Sequence, residues 1–510
     1  MKNILEHLKK WAELTPDKLA ITDGETEITY GSLWQQSRDL GAEILKREVP
    51  GKSGIAVIMN RGSKSLVAML GAVCAGSFYI VIDPEMPEDR IETIFQKLTP
   101  ALIVSDEDNL EKANNLTCKG GVLEFQKAIS GPDADMDELL NQVMERSTDR
   151  DPVYALFTSG SSGIPKGTII THRNILAYSE WVAKTFDINE DTVFGNQTPF
   201  YFSMSVLDIY TTLRCGATLV VLAKALFAFP MTLVEFLNNH KVNTIYWVPS
   251  ALGIVANSKV LDYAELPLIE KVLFAGEIMP TRYLNHWISH KPDVLYANLY
   301  GPTETTDICA YYVVNREFAD DEPIPIGVHC DNCEIILLKE DDTEALEGEA
   351  GEICVRGTIV AQGYYNEPEK TAEAFVQNPL NPYYPETIYR TGDLAKYNEY
   401  GELMYLTRKD FQIKHMGYRI ELGEIETAAG SADWIKSCCC VFDAARDKII
   451  MIYDGKKRPA KDLRDIISAK VPHYMVPNEI RRIKSMPINQ NGKMDRKWLT
   501  ENYEEAVLCE

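Results

Sequence analysis

Short apolar runs alternate with amphipathic segments along the first 150 residues. The predicted elements are a helix at 29–46, a strand at 54–59, a helix at 65–76, a strand at 78–84 and a helix that begins at Pro87. Alternation of buried strands with helices is typical of parallel sheets that helices cover. The pattern therefore predicts an α/β architecture for this part of the chain.

The alternation returns in the middle of the chain. Apolar strands are predicted at 217–222, 243–248, 271–274 and 295–299, each ending in a polar or glycine-bearing turn. In open α/β sheets, ligands collect at such turns, outside the carboxyl ends of the strands. The region 325–365 has short apolar runs and many glycines, which predicts a small β-rich subdomain.

The charged residues Arg408, Lys409 and Asp410 separate two predicted strands, and we place a domain boundary there. A compact α+β arrangement is expected beyond it, from a helix at 421–429, strands at 437–442 and 449–453, and a helix at 460–470. The predicted fold class is α/β. It has a large N-terminal body at 1–407, with mixed and parallel sheets and a β-rich subdomain, and a small α+β domain at 408–510.

Composition narrows the class of protein. The chain has 510 residues, of which 45% are hydrophobic, and this exceeds what one core normally supports. Its longest apolar region, 216–237, is interrupted by Lys224, Pro230 and Glu235, which argues against a membrane span. The 11 cysteines include a run at 438–440 inside an apolar segment, typical of reduced thiols. We therefore expect a cytoplasmic protein without a signal peptide.

The net charge of −23 argues against a nucleic acid partner, because most of the surface would repel a phosphate backbone. The charge is uneven. Residues 408–510 hold 19 lysines and arginines against 16 aspartates and glutamates, which is +3 and leaves −26 for the remainder. This basic end is either scatter or a docking face for an acidic protein.

A segment near residue 160 combines hydroxyl side chains, glycines and one lysine. These residues are Thr158, Ser159, Gly160, Ser161, Ser162, Gly163, Lys166 and Gly167. Backbone N–H groups at such glycines can converge on an anion, while the hydroxyls and the lysine add donors and charge. The spacing is not that of the Walker loop. A flexible linker is the alternative, but Pro165 and the apolar flanks favour a phosphate loop fixed between two strands.

Four further blocks follow the loop. They are Tyr300-Gly301-Pro302-Thr303-Glu304-Thr305, Tyr389-Arg390-Thr391-Gly392-Asp393, the run from Arg408 to Lys414 leading into Gly417-Tyr418-Arg419, and Asn491-Gly492-Lys493-Met494-Asp495-Arg496. Together with the loop they resemble the adenylate-forming superfamily of acyl-CoA synthetases, luciferase and nonribosomal peptide synthetase adenylation domains. The sequence Asp-Phe-Gln-Ile-Lys at 410–414 is most similar to that of free-standing amino-acid-activating enzymes such as the D-alanine:D-alanyl carrier protein ligases.

The resemblance implies an AMP-forming ligase that uses ATP and Mg²⁺. It implies that the loop grips the β- and γ-phosphates, with Lys166 as a catalytic residue, and that Glu304 is linked to Mg²⁺. The further nucleotide contacts that it implies are Gly276, Glu277, Tyr300, Gly301, Thr303, Asp393 and Arg408. Without the resemblance, Thr303 would be an ordinary helix cap and Asp393 a turn residue.

The resemblance also implies a mobile C-terminal domain. Lys493 matches the lysine that neutralises charge during adenylation, and Asp410 matches the hinge. Gly417 and Arg419 match positions of the pose in which a thiol reaches the adenylate. Because no phosphopantetheine attachment segment follows Lys493, the expected acceptor is an acyl or peptidyl carrier protein in trans.

The substrate pocket departs from the family pattern. Ser203 stands where amino-acid activators carry the aspartate that pairs with the α-ammonium, and a buried unpaired ammonium is costly. Asp307 is a candidate displaced amine anchor, whereas Asp208 is expected to be structural. The remaining pocket candidates are Met204, Leu207, Tyr246, Ala275, Leu299 and Ile308. Either another acid pairs with the α-ammonium or the substrate lacks an α-amine. The pocket therefore argues against ordinary D-alanine activation and admits a β-amino, hydroxy, aryl or fatty acid.

Two alternatives to carrier-protein loading remain open from the sequence. The enzyme could hand the acyl group to free coenzyme A, or the chain could be a non-catalytic adenylate-binding module. The presence of Lys166, Glu304, Asp393 and Lys493 argues against the second alternative.

Overall fold

The computed structural model describes residues 1–129, 134–158, 165–409, 412–488 and 494–509. The predicted loop residues Ser159–Gly163, the hinge residue Asp410 and the lysine Lys493 lie outside the described residues. The chain divides into two compact units. Unit 1 comprises Met1–Ile82, Thr99–Leu156 and Gly167–Lys409, and unit 2 comprises Asp83–Leu98, Phe157–Lys166 and Asp410–Glu510. The domain boundary at 407/408 stays a prediction.

A nine-stranded sheet forms the largest layer of unit 1. In spatial order its strands are Val328–His329, Ala310–Val313, Leu295–Tyr300, Lys271–Phe274, Thr244–Trp247, Val193–Asn196, Thr218–Val221, Leu19–Thr22 and Glu27–Thr29. The six strands from Leu295–Tyr300 to Leu19–Thr22 are parallel, and the outer strands are antiparallel. The four strands predicted between 217 and 299 are therefore confirmed.

A six-stranded sheet contains the strands predicted near the N-terminus. Its strands are Val122–Glu124, Leu102–Ser105, Gly54–Ile58, Phe78–Val81, Pro152–Thr158 and Lys166–Thr171. The first five pair in parallel, as predicted. Every residue of Gly54–Ile58 and Phe78–Val81 is buried, which is expected for parallel strands covered on both faces.

Helices follow most parallel strands of unit 1. They are Leu5–Leu14, Tyr30–Lys46, Ser63–Cys74, Leu110–Asn115, Phe125–Ala128, Ala134–Arg146, His172–Thr185, Ser205–Cys215, Pro230–Asn239, Pro249–Ser258, Thr281–His290 and Pro368–Ala374, with short 3₁₀ turns at Lys224–Ala228, Val260–Asp262 and Thr303–Thr305. The helix Tyr30–Lys46 begins where predicted because the Thr29 side chain caps the N–H of Ser32. Within the described ranges, no helix combines the length and apolar character that a membrane crossing requires.

A five-stranded antiparallel sheet completes unit 1. It contains Cys333–Leu338, Gly351–Gly357, Thr387–Tyr397 and Phe375–Gln377, and Leu403–Arg408 pairs with Thr387–Tyr397. The β-rich subdomain predicted for 325–365 is present and extends to Arg408. Its extra strands supply two of the predicted nucleotide contacts.

Unit 2 is a small α+β arrangement. Its helices are Glu88–Leu98, Leu422–Gly430, Ala460–Ser468 and Arg496–Asn502, with short 3₁₀ turns at His473–Met475 and Tyr503–Glu505. The strands Gln412–His415 and Tyr418–Glu421 form a hairpin, and Ile435–Asp443, Lys448–Gly455, Glu479–Ile483 and Val507–Leu508 form a four-stranded sheet. Together the two units confirm the predicted fold class.

Candidate active site

The predicted pocket residues of unit 1 follow the carboxyl ends of neighbouring parallel strands. Ser203 and Met204 lie beyond Val193–Asn196, and Gly276 lies just beyond Lys271–Phe274. The turn that begins at Gly301 follows Leu295–Tyr300 directly. Carboxyl ends of parallel strands meet at one edge of a sheet, where ligands of α/β proteins bind. The topology therefore brings together residues about 100 positions apart.

Three predicted nucleotide contacts meet around one carboxylate. Tyr300 Oη donates a hydrogen bond to Asp393 Oδ2, and Arg408 Nη1 donates to Asp393 Oδ1 at 2.8 Å. Asp393 and Arg408 face each other across paired antiparallel strands. The Asp393 carboxylate is 2% exposed, so its charge lies in a poorly solvated environment where the guanidinium compensates it. Burial and the Asp393 charge both raise the pKa of Tyr300, which keeps its hydroxyl protonated as a donor.

The turn that carries Asp393 is fixed by a second carboxylate. Glu352 Oε1 accepts a hydrogen bond from the Gly392 N–H at 3.0 Å, and Glu352 Oε2 accepts from Lys409 Nζ at 3.1 Å. The N–H of Asp393 donates to Thr391 Oγ1 at 3.0 Å. Gly392 has a φ of 75°, a left-handed conformation that favours glycine. These contacts hold the Asp393 backbone in one orientation.

Glu304 is completely buried in the turn that follows Leu295–Tyr300. Its Oε1 accepts a hydrogen bond from Tyr364 Oη at 2.7 Å, and its backbone oxygen accepts from the Ala361 N–H at 2.9 Å. An added Cβ at Gly301 would lie 2.2 Å from the backbone oxygen of Asp307, so only glycine fits this turn. The turn therefore packs tightly and holds Glu304 at the sheet edge.

Two consecutive non-glycine residues after this turn adopt left-handed backbone conformations. Thr306 has a φ of 53° and Asp307 a φ of 81°, which is costly for residues with a Cβ and is often found at functional sites. Thr306 Oγ1 donates to the Ile359 carbonyl at 2.6 Å, which helps to hold this conformation. The strained backbone directs the Asp307 side chain into the protein interior, where it is 2% exposed.

Two tyrosine hydroxyls hold the Asp307 carboxylate. Tyr178 Oη donates to Asp307 Oδ2 at 2.9 Å, and Tyr246 Oη donates to the same atom at 3.0 Å. Burial, followed by the Asp307 charge, raises the pKa of both tyrosines well above the ordinary value. Both hydroxyls therefore remain donors, and Asp307 stays in contact with Tyr246, another predicted pocket residue.

Ser203 and Met204 contact the turns beside them. The hydroxyls of Ser203 and Thr303 are 3.1 Å apart and share a hydrogen bond. A Cβ added at Gly276, which has a φ of 91°, would lie 3.0 Å from Met204 Sδ. Glu277 Oε2 accepts a hydrogen bond from the Ser250 N–H at 2.8 Å, so its carboxylate faces the first turn of Pro249–Ser258. The other pocket candidates, Leu207, Ala275, Leu299 and Ile308, are buried.

Asp208 is a second buried carboxylate in this region. Its Oδ2 accepts a hydrogen bond from Asn196 Nδ2 at 2.8 Å, while within the described ranges its Oδ1 has no hydrogen-bond partner. Burial, together with the nearby charge of Asp307, raises the pKa of Asp208 well above the ordinary value. The raised pKa favours the neutral carboxyl form, so Asp208 adds a buried acidic side chain to this side of the sheet but little negative charge.

The remaining predicted residues belong to unit 2. Lys166 is the first residue of the strand Lys166–Thr171, and Arg419 Nε donates to Gln412 Oε1 at 2.6 Å within the hairpin. Gly417 has a φ of 80° and follows Met416, which has a φ of 51°. Two left-handed residues match the turn that connects a tight hairpin, so the backbone itself requires glycine here. Thr158 is the last residue of the strand Pro152–Thr158, and its side chain is not among those that the structure describes.

The sequence analysis missed three residues that position the site. Tyr178 and Tyr364 donate to Asp307 and Glu304, and Glu352 fixes the turn of Asp393. Tyr178 lies inside an amphipathic helix, where an aromatic residue indicates only a buried face. Gly363, with a φ of 127°, was the one local signal near Tyr364, because such a glycine marks an unusual turn.

A comparison with protein families identifies the class that this fold and site define. Residues 8–365 match the family of AMP-binding enzymes. The chain belongs to this family and is an ATP-dependent, AMP-forming ligase. This confirms the resemblance drawn from the sequence blocks.

Individual relatives agree with the family. The chain is 32% identical to the D-alanine–D-alanyl carrier protein ligase of Bacillus licheniformis, over 98% of this chain and 99% of the relative. It is 31% identical to the ligase of the same name from Listeria monocytogenes, over 98% of both chains. Among solved structures, an artificially fused adenylation–PCP di-domain from Klebsiella oxytoca matches with a TM-score of 0.81 and 21% identity, covering 95% of this chain and 94% of that one. This last likeness supports the fold.

Proposed function

We propose that this ligase converts a carboxylic acid to its acyl-adenylate with ATP and then transfers the acyl group to the phosphopantetheine thiol of a carrier protein. The observation that carries the proposal is the convergence of Tyr300, Asp393 and Arg408 within the unit that also holds Glu304 at its sheet edge. Relatives that are similar along nearly their whole length are carrier protein ligases by name, which supports the acceptor.

In the first half-reaction an oxygen of the substrate carboxylate attacks the α-phosphorus of ATP, and pyrophosphate leaves. The protein has to hold these groups in line and compensate the charge that develops. Asp393 would accept hydrogen bonds from the ribose hydroxyls, and Arg408 would orient Asp393 or contact a phosphate. Tyr300, Gly301, Thr303, Gly276 and Glu277 would frame the nucleotide.

The proposed metal ligand is Glu304. When bound, Mg²⁺ would compensate the charge of the phosphates. Mg²⁺ in ATP sites is held by one or two carboxylates together with phosphate oxygens and water, and a buried carboxylate at the ligand edge of the sheet fits this requirement. The hydroxyl of Tyr364 is a neutral donor, so it orients the Glu304 carboxylate without neutralising it.

The groups that the family pattern assigns to the phosphates and to the C-terminal domain complete the proposal. The loop residues Thr158–Gly163 and Lys166 would bind the β- and γ-phosphates, and Lys493 would approach the reacting carboxylate and α-phosphate. Rotation at Asp410 would then withdraw Lys493. In the second pose, Gly417 and Arg419 would admit the phosphopantetheine arm, whose sulfur attacks the acyl carbon while AMP leaves.

The substrate that we propose carries an amine, and Asp307 is its anchor. Ser203 has no charge, and its hydroxyl is engaged by Thr303. Asp307 is instead a buried carboxylate beside Tyr246, and Asp208 is a second buried acidic side chain in the same region, whose pKa is raised well above the ordinary value. A substrate with a cationic amine would compensate the buried negative charge of Asp307, whereas an acid without an amine would leave it uncompensated. In amino-acid activators the amine-pairing carboxylate stands at the position of Ser203, whereas here the available carboxylate is Asp307. An amine located away from the α-carbon fits this difference in position.

A pyrophosphate-exchange assay with a panel of acids tests the first half-reaction and the substrate together. We expect exchange with acids that carry a β- or more distant amine, weaker exchange with α-amino acids, and little with fatty or aryl acids. The variant Ser203→Asp restores the family's α-amine anchor and should shift the profile towards α-amino acids. An unchanged profile would contradict the pocket assignment, and no exchange with any acid would favour the non-catalytic alternative.

The acceptor is tested separately. With the acid that exchanges fastest, thioester yield is compared between free coenzyme A and a phosphopantetheinylated D-alanyl carrier protein. We expect loading of the carrier protein at concentrations where coenzyme A is not acylated. The reverse preference would favour the coenzyme A ligase alternative.

We also propose a cytoplasmic location, because all eleven cysteines are free thiols, which fits a reducing compartment.

A further inference from the structure

Three side chains with metal-ligating atoms meet on the surface of unit 1. They are Asp262, His286 and His290, and one ligand atom of each lies within 4.8 Å of the others. None of them belongs to the sequence blocks of the ligase reaction. We propose that they form a site for a divalent transition metal ion, with Zn²⁺ as the expected occupant.

The two histidines lie on one face of a helix. His286 and His290 are four residues apart in Thr281–His290, a spacing that places side chains on the same side of a helix, and their rings are 4.5 Å apart. Two histidines at this spacing are a known arrangement for zinc ligation on a helix. The helix therefore presents two nitrogen ligands.

The third group comes from a different element. Asp262 lies in the 3₁₀ turn Val260–Asp262 and approaches His290 Nε2 with Oδ1 at 2.8 Å. The turn begins after Lys259, which has a φ of 53°, and the Asp262 N–H donates to the Lys259 carbonyl at 3.0 Å. The backbone of this turn therefore holds Asp262 beside His290.

The orientation of His290 suits a metal ligand. His290 Nδ1 lies 2.9 Å from the carbonyl oxygen of His286. Because a carbonyl oxygen only accepts hydrogen bonds, Nδ1 is the donor in this contact. Nε2 is the nitrogen that lies 2.8 Å from Asp262 Oδ1, where a metal ion would take the place of a proton between the two groups. Metal-ligating histidines typically donate their second ring nitrogen to a carbonyl or carboxylate in this way, which fixes the ring. The hydrogen bond from His290 Nδ1 to the His286 carbonyl oxygen is already present in the structure.

His286 contributes an unsatisfied atom. Its Nε2 is enclosed and, within the described ranges, has no hydrogen-bond partner. A buried polar atom without a partner is costly, and coordination would satisfy it. The unpartnered nitrogen and the clustering of three ligand side chains are separate observations, and both favour a metal site.

The ligand set selects the class of ion. Imidazole nitrogens suit Zn²⁺, Ni²⁺ and Cu²⁺, whereas Mg²⁺ and Ca²⁺ prefer oxygen ligands, so the site differs from that of the nucleotide's Mg²⁺. Zn–N bonds of about 2.0–2.1 Å place tetrahedral ligands about 3.3 Å apart, which small side-chain rotations from the present spacing would reach. Two histidines and one aspartate leave the fourth position to water.

The position indicates a structural role. Asp262 and His290 precede the amino ends of the neighbouring strands Lys271–Phe274 and Leu295–Tyr300, whereas the nucleotide contacts follow the carboxyl ends. An ion here would tie the helix Thr281–His290 to the turn after Pro249–Ser258, on the side of the sheet away from the reaction. It would stabilise unit 1 without taking part in adenylation.

Zn²⁺ titration of the full-length, EDTA-treated protein tests the proposal. We expect wild type to bind one Zn²⁺ by calorimetry. His290→Gln should bind it at least about 10-fold more weakly, because even the loss of a group that only orients a metal ligand costs about that much affinity. The matched control is His240→Gln, since His240 Nδ1 also lies 2.9 Å from the carbonyl oxygen four residues before it. Because His240 belongs to no group of three ligand atoms among the described residues, His240→Gln should bind like wild type.

X-ray absorption at the zinc edge separates this site from the cysteines. We expect a nitrogen and oxygen shell at about 2.0–2.1 Å in wild type, whereas thiolate ligation would give about 2.3 Å. A sulfur shell, or equal affinity in wild type and His290→Gln, would overturn the proposal. If His290→Gln is unfolded by circular dichroism, Asp262→Asn and His286→Gln give the same comparison. Zn²⁺ should also raise the thermal midpoint of wild type and His240→Gln only.

Discussion

Arg408 donates a hydrogen bond from Nη1 to Oδ1 of Asp393 at 2.8 Å, and the two residues are directly paired across neighbouring strands. The Arg408 side chain is 10% exposed and that of Asp393 3%. An ion pair enclosed to this degree requires both partners, because removing one leaves a buried uncompensated charge. The proposed nucleotide contact and the local stability therefore depend on the same pair.

Asp393→Asn should weaken ATP binding and lower the thermal midpoint together. The amide keeps the size of the side chain but loses the charge, and hydrogen bonds to charged groups contribute about 1.5–3 kcal/mol, so we expect the KM for ATP to rise about 10-fold or more. Pyrophosphate exchange at varied ATP measures this. Tyr300→Phe removes one neutral donor and keeps the ion pair, so its effect should be smaller. An unchanged KM in folded Asp393→Asn would refute the nucleotide role.

Asp307→Asn should reduce kcat/KM for amine-bearing acids by about 10- to 100-fold, because a charge-assisted hydrogen bond to the ammonium is lost. Analogues without the amine should be affected little, which a merely structural role would not produce. Tyr246→Phe removes one of the two hydroxyls that orient the carboxylate and should give an intermediate loss. Equal losses for acids with and without an amine would contradict the anchor.

Lys493→Ala should slow adenylate formation by about 100-fold or more, since a preorganised cation at the reacting oxygens contributes on the order of 3 kcal/mol. Transfer from a synthetic acyl-adenylate to the carrier protein should remain, because we propose that the lysine is withdrawn in that step. Pyrophosphate release and thioester formation are measured separately. Lys484→Ala, which changes an exposed lysine earlier in the same C-terminal segment of the sequence, is the control and should behave like wild type.

Acid should destabilise unit 1 through His172. Burial lowers its pKa to about 4, and Nδ1 accepts a hydrogen bond from the Ile4 N–H at 3.2 Å. The unfolded chain binds this proton near pH 6.5, so stability is fully present above that pH and is lost as the pH falls towards 4. The difference corresponds to roughly 3 kcal/mol at full protonation.

His172→Asn provides the comparison, because asparagine can accept the Ile4 hydrogen bond without titrating. Thermal unfolding between pH 7 and pH 4 should show a smaller loss of stability than in wild type. The loss should not disappear, since burial also lowers the pKa of His7 to about 4. His329→Asn, at an exposed strand position, should leave the pH dependence unchanged. An identical pH profile in His172→Asn and wild type would count against this account.

The order of helices and strands, and several of the residues after each strand, could be predicted from the sequence. Thr29 caps its helix and the strand Lys271–Phe274 has the predicted bounds, because caps and apolar runs act over a few neighbouring residues. Tyr300 and Asp393 were predicted as nucleotide contacts only through the family resemblance. Their mutual hydrogen bond could not be predicted, since 93 positions separate them.

The sequence by itself determined the α/β class, the parallel sheets and the family, because periodicity and short motifs are local properties of the chain. Only the tertiary structure decided which side chains meet: Asp307 with Tyr178, Glu304 with Tyr364, and Asp262 with His290. Each of these contacts depends on how strands, helices and turns pack in the fold, which places distant segments side by side. Local patterns constrain where an element begins and ends, but they carry no information about its neighbours across the sheet.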